Sequence, residues 1–206
     1  SFGKMHHKKL LDAYIELFKD LFENPKFDNS AQIEIIDYGC GQGIASLILL
    51  NELNNIEFPI ENISKITLIE PSKVALERAD FFLNKSTKVI KINKYLNDLN
   101  YADIKTSDSS IKIHLFSNIL DMADEDEPGK DFSIERLAKN IKSSQSKDNY
   151  FVCVSVRNGE NLDEFAENIM EVKLQNIEFI STNNRSIGRG QYPSWHRVHK
   201  IFKKSL

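Results

Sequence analysis

Short β-branched runs alternate along this chain with longer segments whose apolar residues recur at helical spacing, and that alternation leaves few folds open. Ile33 to Tyr38, Ile66 to Ile69, Lys88 to Ile92, Ile111 to Phe116 and Tyr150 to Val156 read as strands, most of them apolar enough to be buried on both faces. Between them, Ile44 to Leu53, Lys73 to Leu83, Phe132 to Ile141 and Leu162 to Met170 read as helices, with a shorter one over Tyr95 to Tyr101. Ser72 is placed to N-cap the Lys73 helix, whose expected inner face is Val74, Leu76, Ala79 and Phe82. An amphipathic helix over Lys8 to Phe22 precedes the first strand and is stopped by Asn24-Pro25. The chain closes on two further strands, Ile177 to Ser181 and Trp195 to Phe202, with a Gly/Pro/Arg loop over Arg185 to Ser194 between them and no helix. Repeated β-α units force parallel pairing with right-handed crossovers, so helices lie on both faces. The expected fold is an α/β three-layer sandwich. It has a seven-stranded, mostly parallel sheet with an antiparallel last strand, and an extra N-terminal helix.

A chain of 206 residues is long enough to bury a core without a disulfide or a metal. We read residues 1–206 as a single domain, with 1–30 as a helical extension and 31–206 as the core. With 41% hydrophobic and 28% charged residues, disordered and low-complexity classes are excluded. No apolar run approaches the roughly 20 residues of a membrane span, and the basic N-terminus lacks the apolar stretch of a signal peptide. Cys40 and Cys153 do not make a disulfide framework, so the expected location is the cytoplasm. No Cys/His spacing points to a metal. The net charge of −3 gives no global signature for nucleic acid. The first residue is Ser rather than Met, so a tag remnant or an origin in a longer protein with fused partner domains is expected.

The chain holds only 8 glycines, and Gly39, Gly41 and Gly43 fall within five residues at the first strand-to-helix junction. Glycine accepts positive φ and has no Cβ to meet a ligand, and ligands in such folds sit outside the carboxyl ends of the strands. The dinucleotide pattern G-x-G-x-x-G fails here, because its sixth position is Ile44. A nicotinamide-dependent oxidoreductase is thereby disfavoured.

The segment Asp37-Tyr38-Gly39-Cys40-Gly41-Gln42-Gly43 instead resembles the first motif, E/D-x-G-x-G-x-G, of the class I S-adenosylmethionine (SAM)-dependent methyltransferases. The resemblance runs from about Ile33 to Phe202 and includes a seven-stranded sheet with an antiparallel last strand. It implies SAM as the cofactor. Gly39, Cys40, Gly41 and Gly43 would pass beside its methionine and ribose parts, and Asp37 would meet its amino group. Glu70, closing the second strand with Pro71, would hold the ribose hydroxyls, a task a carboxylate performs by accepting from two donors. Asn93 would contact the adenine, with Lys94, Tyr95 and Asp98 nearby. Ser117, Asn118 and Asp121, at the end of the fourth strand, would face the methionine end or the methyl acceptor, and are the catalytic candidates. The N/D-P-P-Y/F motif and the Pro-Cys nucleophile of base-methylating classes are absent there.

For the acceptor, the loop after the sixth strand carries Arg189, Tyr192 and Trp195, donors and flat surfaces suited to an anionic or aromatic molecule. Arg197, Lys200, Lys203 and Lys204 continue the basic run, so RNA stands beside a small molecule as the acceptor class. His114, inside a strand, reads as a core residue. Cys40, near a helix N-terminus, is expected to carry a lowered thiol pKa while lining the pocket. The basic run Lys4 to Lys9 reads as a solvated end, and Ala123 to Lys130 as an acidic surface loop. The alternative to an active methyltransferase is a domain of the same fold that has lost catalysis and serves as a binding or scaffold module.

Overall fold

The computed structural model describes residues 2–23, 30–84, 87–123, 132–156, 159–187 and 195–206, with backbone only at 2–6, 185–187 and 195–197. Seven strands form one sheet: β1 (Ile33–Tyr38), β2 (Ile63–Ile69), β3 (Val89–Ile92), β4 (Ile111–Ser117), β5 (Asp148–Ser155), β6 (Ser181–Ile187) and β7 (Trp195–Ser205). Their order is β3-β2-β1-β4-β5-β7-β6. β7 is antiparallel to both β5 and β6, and the remaining pairs are parallel. Among the described residues five α-helices flank the sheet: α1 (Phe2–Phe22), α2 (Ile44–Asn55), α3 (Lys73–Leu83), α4 (Ile134–Ser144) and α5 (Glu160–Met170).

The period of two along each central strand sorts the side chains between two cores. Ile33 and Ile35 of β1, with Ile113 and Leu115 of β4, join a cluster under α1, α2 and α3. Ile36 and Tyr38 of β1, with Phe116 of β4, join a second cluster under α4 and α5. α1 belongs to the first layer as fully as α2 does: Leu10, Ala13, Tyr14, Leu17 and Leu21 are buried, and the Tyr14 hydroxyl donates to the Ala45 carbonyl at 2.9 Å.

His114 is a core residue of the second layer. It stacks on Phe151 with ring centroids 4.6 Å apart and stands 5.9 Å from Tyr38. Its Nε2 lies 3.0 Å from Asn149 Oδ1, and its Nδ1 lies 3.1 Å from the Tyr38 hydroxyl. The Asn149 amide nitrogen donates to the carbonyls of Ser146 and Lys147, so Oδ1 is the acceptor. The ring is therefore the Nε2–H tautomer, with Nδ1 accepting from tyrosine. Burial lowers its pKa to about 4 and keeps it neutral.

Three expectations are corrected. The sixth strand is Ser181–Ile187, not Ile177 to Ser181. Its register runs from Ser181 opposite Ile201 to Ile187 opposite Trp195, so Arg185 starts no loop and belongs to the strand. As an edge strand β6 needs no apolar run, while Ile177 and Phe179 pack into the second core ahead of it. The inner face of α3 is Leu76, Ala79 and Leu83; Val74 is 65% and Phe82 51% exposed. α3 sits over the β2–β3 edge of the sheet, where one narrow stripe suffices to cover it. The stretch over Tyr95 to Tyr101 holds only a 3-10 turn at Leu96–Asp98. The Ser72 cap is formed, its hydroxyl accepting from the Ala75 N–H at 3.4 Å.

Candidate functional site

The chain crosses from one side of the sheet to the other between β1 and β4, which is where open α/β sheets bind ligands. A cleft of about 710 Å³ opens there. Its walls are His7 and Leu10 of α1, Asp37, the turn from Gly39 to Gln42, Ile44, Ala45 and Ile48 of α2, and Ser117 and Asn118 at the end of β4.

Asp37 is fully buried on the strand face that meets α2. Its Oδ2 accepts from the Ser46 hydroxyl at 2.7 Å. Its Oδ1 is buried and has no partner among the described residues. Burial raises the Asp37 pKa to about 7; the Ser46 hydrogen bonds oppose this and the Glu70 charge adds to it. An acid held in this way costs stability when it ionises without a cation, and it is ready to accept one.

The three glycines have different tasks. Gly39 (φ +62°) passes so close to Ile119 that a Cβ would stand 2.5 Å from its Cδ1. Gly43 (φ +77°) caps α2 and packs on α3, where a Cβ would meet Ala79 at 2.9 Å. Gly41 (φ +52°) has nothing within 4 Å of the missing Cβ. It is the bare backbone that faces open space in the cleft. Cys40 lines the same cleft, but its thiol pKa is raised, contrary to expectation: burial and the Asp37 and Glu70 carboxylates outweigh the helix terminus.

Glu70 stands beside the glycine turn without forming a wall of the cleft. Its two carboxylate oxygens accept from the backbone N–H groups of Gly41 at 3.0 Å and Ser72 at 2.9 Å. Asn93 donates to the carbonyls of Glu70 and Pro71 at 2.9 and 2.8 Å, tying the end of β3 to the end of β2. Gly43, Glu70, Pro71 and Asn93 thus surround the turn, whereas Asp37, Gly39, Cys40, Gly41, Ser117 and Asn118 line the cleft itself.

At the end of β4, Asn118 adopts φ +62°, a left-handed conformation that non-glycine residues rarely take. Its Oδ1 accepts from the Lys9 ammonium. Asp121 is drawn away from the cleft: both of its oxygens accept from the Ser155 hydroxyl, at 2.6 and 2.7 Å. Of the acceptor-loop residues, Arg189 and Tyr192 lie outside the described residues. Trp195 opens β7, with its side chain outside them as well. The acidic run from 124 also lies outside.

Besides the apolar walls from α1 and α2, two buried polar residues beside the cleft escaped the sequence. Lys9 is only 3% exposed, so the basic N-terminal run is not wholly a solvated end. Its one signal was its place a turn before Ala13 on the apolar face of α1. Ser46 is fully buried, and its signal was a lone hydroxyl in the apolar first turn of α2. Among the described residues no cluster of His, Cys, Asp or Glu is arranged to hold a metal, and no helix is long and apolar enough to cross a membrane.

The sequence matches no protein-family model and no curated protein. Solved structures do match. NodS from Bradyrhizobium japonicum WM9, an N-methyltransferase, aligns over 100% of this chain and 97% of its own at 11% identity, with a TM-score of 0.59. Its complex with S-adenosylhomocysteine aligns over 98% and 88% with a TM-score of 0.57. A candidate methyltransferase from Pseudomonas syringae aligns over 98% and 99% at 14% identity, with a TM-score of 0.54. A candidate rRNA methylase from Clostridium thermocellum aligns over 100% and 97% at 10% identity, with a TM-score of 0.50. The fold is therefore the seven-stranded, Rossmann-like fold of the class I SAM-dependent methyltransferases.

Proposed function

We propose that this chain is a SAM-dependent methyltransferase whose acceptor approaches over the end of β4. The observation that carries this reading is the buried Asp37 Oδ1, partnerless among the described residues, in a cleft edged by the open backbone of Gly41. These residues fit SAM. An ammonium would complete Asp37, and the Gly41 turn leaves space where a side chain would collide. Glu70 keeps acceptor capacity on both oxygens after its two backbone bonds, which suits a ribose diol.

When bound, the cofactor supplies an electrophilic methyl group on a sulfonium. The residues of this chain orient it and exclude water. Asp37 binds the amino group, the first turn of α2 closes over the glycine turn, and Ser117 and Asn118 form the wall on the acceptor side. Positioning of this kind is the main catalytic contribution to an in-line transfer. Asp121 holds the start of the segment after β4 through Ser155 and acts on position rather than on protons. The acceptor is a small molecule or an RNA. A candidate rRNA methylase among the neighbouring structures supports keeping RNA beside a small molecule as the acceptor class. Cys40 and Cys153 are buried free thiols, which fits a reducing compartment such as the cytoplasm.

The test is calorimetric titration with SAM, S-adenosylhomocysteine and NAD. Micromolar binding of the two adenosyl ligands, none of NAD, and a loss of at least roughly tenfold in Asp37→Ala are expected, the loss of a charge-assisted hydrogen bond. No binding of either adenosyl ligand, or unchanged affinity in Asp37→Ala, overturns the reading.

A further inference from the structure

Lysine is rarely buried unless it is paired, yet Lys9 is 3% exposed and its hydrogen-bond partner among the described residues is the neutral amide of Asn118. An ammonium has three protons to donate, so two are left over. None of the described carboxylates forms an ion pair with it; Asp121 attracts it from a distance while both Asp121 oxygens accept from Ser155. Desolvation outweighs that attraction and lowers the Lys9 pKa to about 8. Lys9 is not itself a wall of the cleft, but its ammonium is bonded to the wall residue Asn118, and His7 and Leu10, near it on α1, are wall residues too. Asp37, a wall of that cleft, carries the opposite deficiency in its unpartnered Oδ1. One buried cation short of acceptors and one buried anion short of donors describe a receptor for a zwitterion.

We propose that Lys9 supplies the positive charge that receives the α-carboxylate of the cofactor, complementing Asp37, which receives its α-ammonium. The assignment rests on the methyltransferase reading above and extends it to α1. It makes α1 part of the binding machinery, and it gives a reason for burying a lysine where a leucine would pack. The left-handed Asn118 belongs to the same device, because its Oδ1 holds the ammonium at the edge of the cleft.

The experiment compares S-adenosylhomocysteine with its decarboxylated counterpart, which keeps the amine and loses the carboxylate. Both are titrated into the wild-type chain and into Lys9→Met, a substitution of similar length that removes the charge. The wild type is expected to bind the decarboxylated ligand roughly ten- to a hundredfold more weakly than S-adenosylhomocysteine, the range for a charge-assisted contact. Lys9→Met is expected to lose the same factor for S-adenosylhomocysteine and nothing for the decarboxylated ligand. Its thermal midpoint reports folding separately. If Lys9→Met does not fold, the wild-type comparison still decides: equal affinity for the two ligands overturns the assignment. Undiminished binding of S-adenosylhomocysteine by folded Lys9→Met overturns it while leaving the methyltransferase reading standing. Failure of the wild type to bind either ligand overturns both.

Discussion

Two glycines a residue apart make different demands of the same turn. At Gly39 the missing Cβ is required by the protein itself, because Ile119 occupies its place. At Gly41 the space is open, and the demand comes from whatever enters the cleft. Both positions have positive φ, so alanine is strained at each by about 1 kcal/mol. Gly39→Ala adds a collision with a packed side chain and is expected to destabilise by about 2–4 kcal/mol in total. Gly41→Ala is expected to cost only about 1 kcal/mol, yet to weaken S-adenosylhomocysteine binding by roughly tenfold or more. Urea unfolding and calorimetry on the pair separate the two demands. Equal stability losses with unchanged binding in Gly41→Ala would place the ligand elsewhere. The sequence showed three glycines and could not rank them. Their spacing is local, whereas what a Cβ would meet is set by Ile119 at Gly39, by α3 at Gly43 and by open space at Gly41.

Among the elements, α3 and α1 show how a helix face is decided. The apolar residues of α3 admit more than one stripe, and the buried one is Leu76, Ala79 and Leu83. Which stripe faces inward depends on where the helix lies over β2 and β3. Leu76→Ala is expected to cost about 2–5 kcal/mol, whereas Phe82→Ser, at a site 51% exposed, is expected to change stability by less than about 0.5 kcal/mol. Equal losses in denaturant titrations of the two variants would mean that the helix is rotated. α1 was legible as an amphipathic helix from Leu10 to Leu21, and that part packs as expected. Of the basic run before it, His7 and Lys8 are exposed as expected and only Lys9 is buried, a burial signalled by nothing more than its spacing to Ala13.

For the whole molecule, the carboxyl of Asp37 is a cost written into the fold. Its pKa is raised to about 7 by burial, against an ordinary value of 3.8. Between those two pH values the folded state holds a proton that the unfolded state has lost, so stability falls as pH rises through this window and levels off above about 7. Asp37→Asn carries no such proton. Its stability relative to the wild type is expected to improve by about 2–3 kcal/mol between pH 5 and pH 8, measured by urea unfolding at each pH. A constant difference would mean that Asp37 is already ionised at pH 5. The sheet order makes this cost useful: β1 and β4 are neighbours across the point where the chain changes direction, which opens the cleft beside the charged strand end.

The alternation of strands and helices, the Ser72 cap, the glycine turn and the carboxylates at Asp37 and Glu70 were all decided by the sequence. Each depends on spacing or on a backbone preference that acts over a few residues. The tertiary structure decided the rest. It set β7 between β5 and β6, paired Asp37 with Ser46, turned Asp121 toward Ser155, and closed Glu70 onto the Gly41 backbone. It also brought Lys9 to Asn118 across 109 positions of chain. Burial and partnership arise between elements, so their energies are invisible to any local reading. Only the packing of α1 against the end of β4 turns a lysine of a basic run into a buried cation bonded to Asn118.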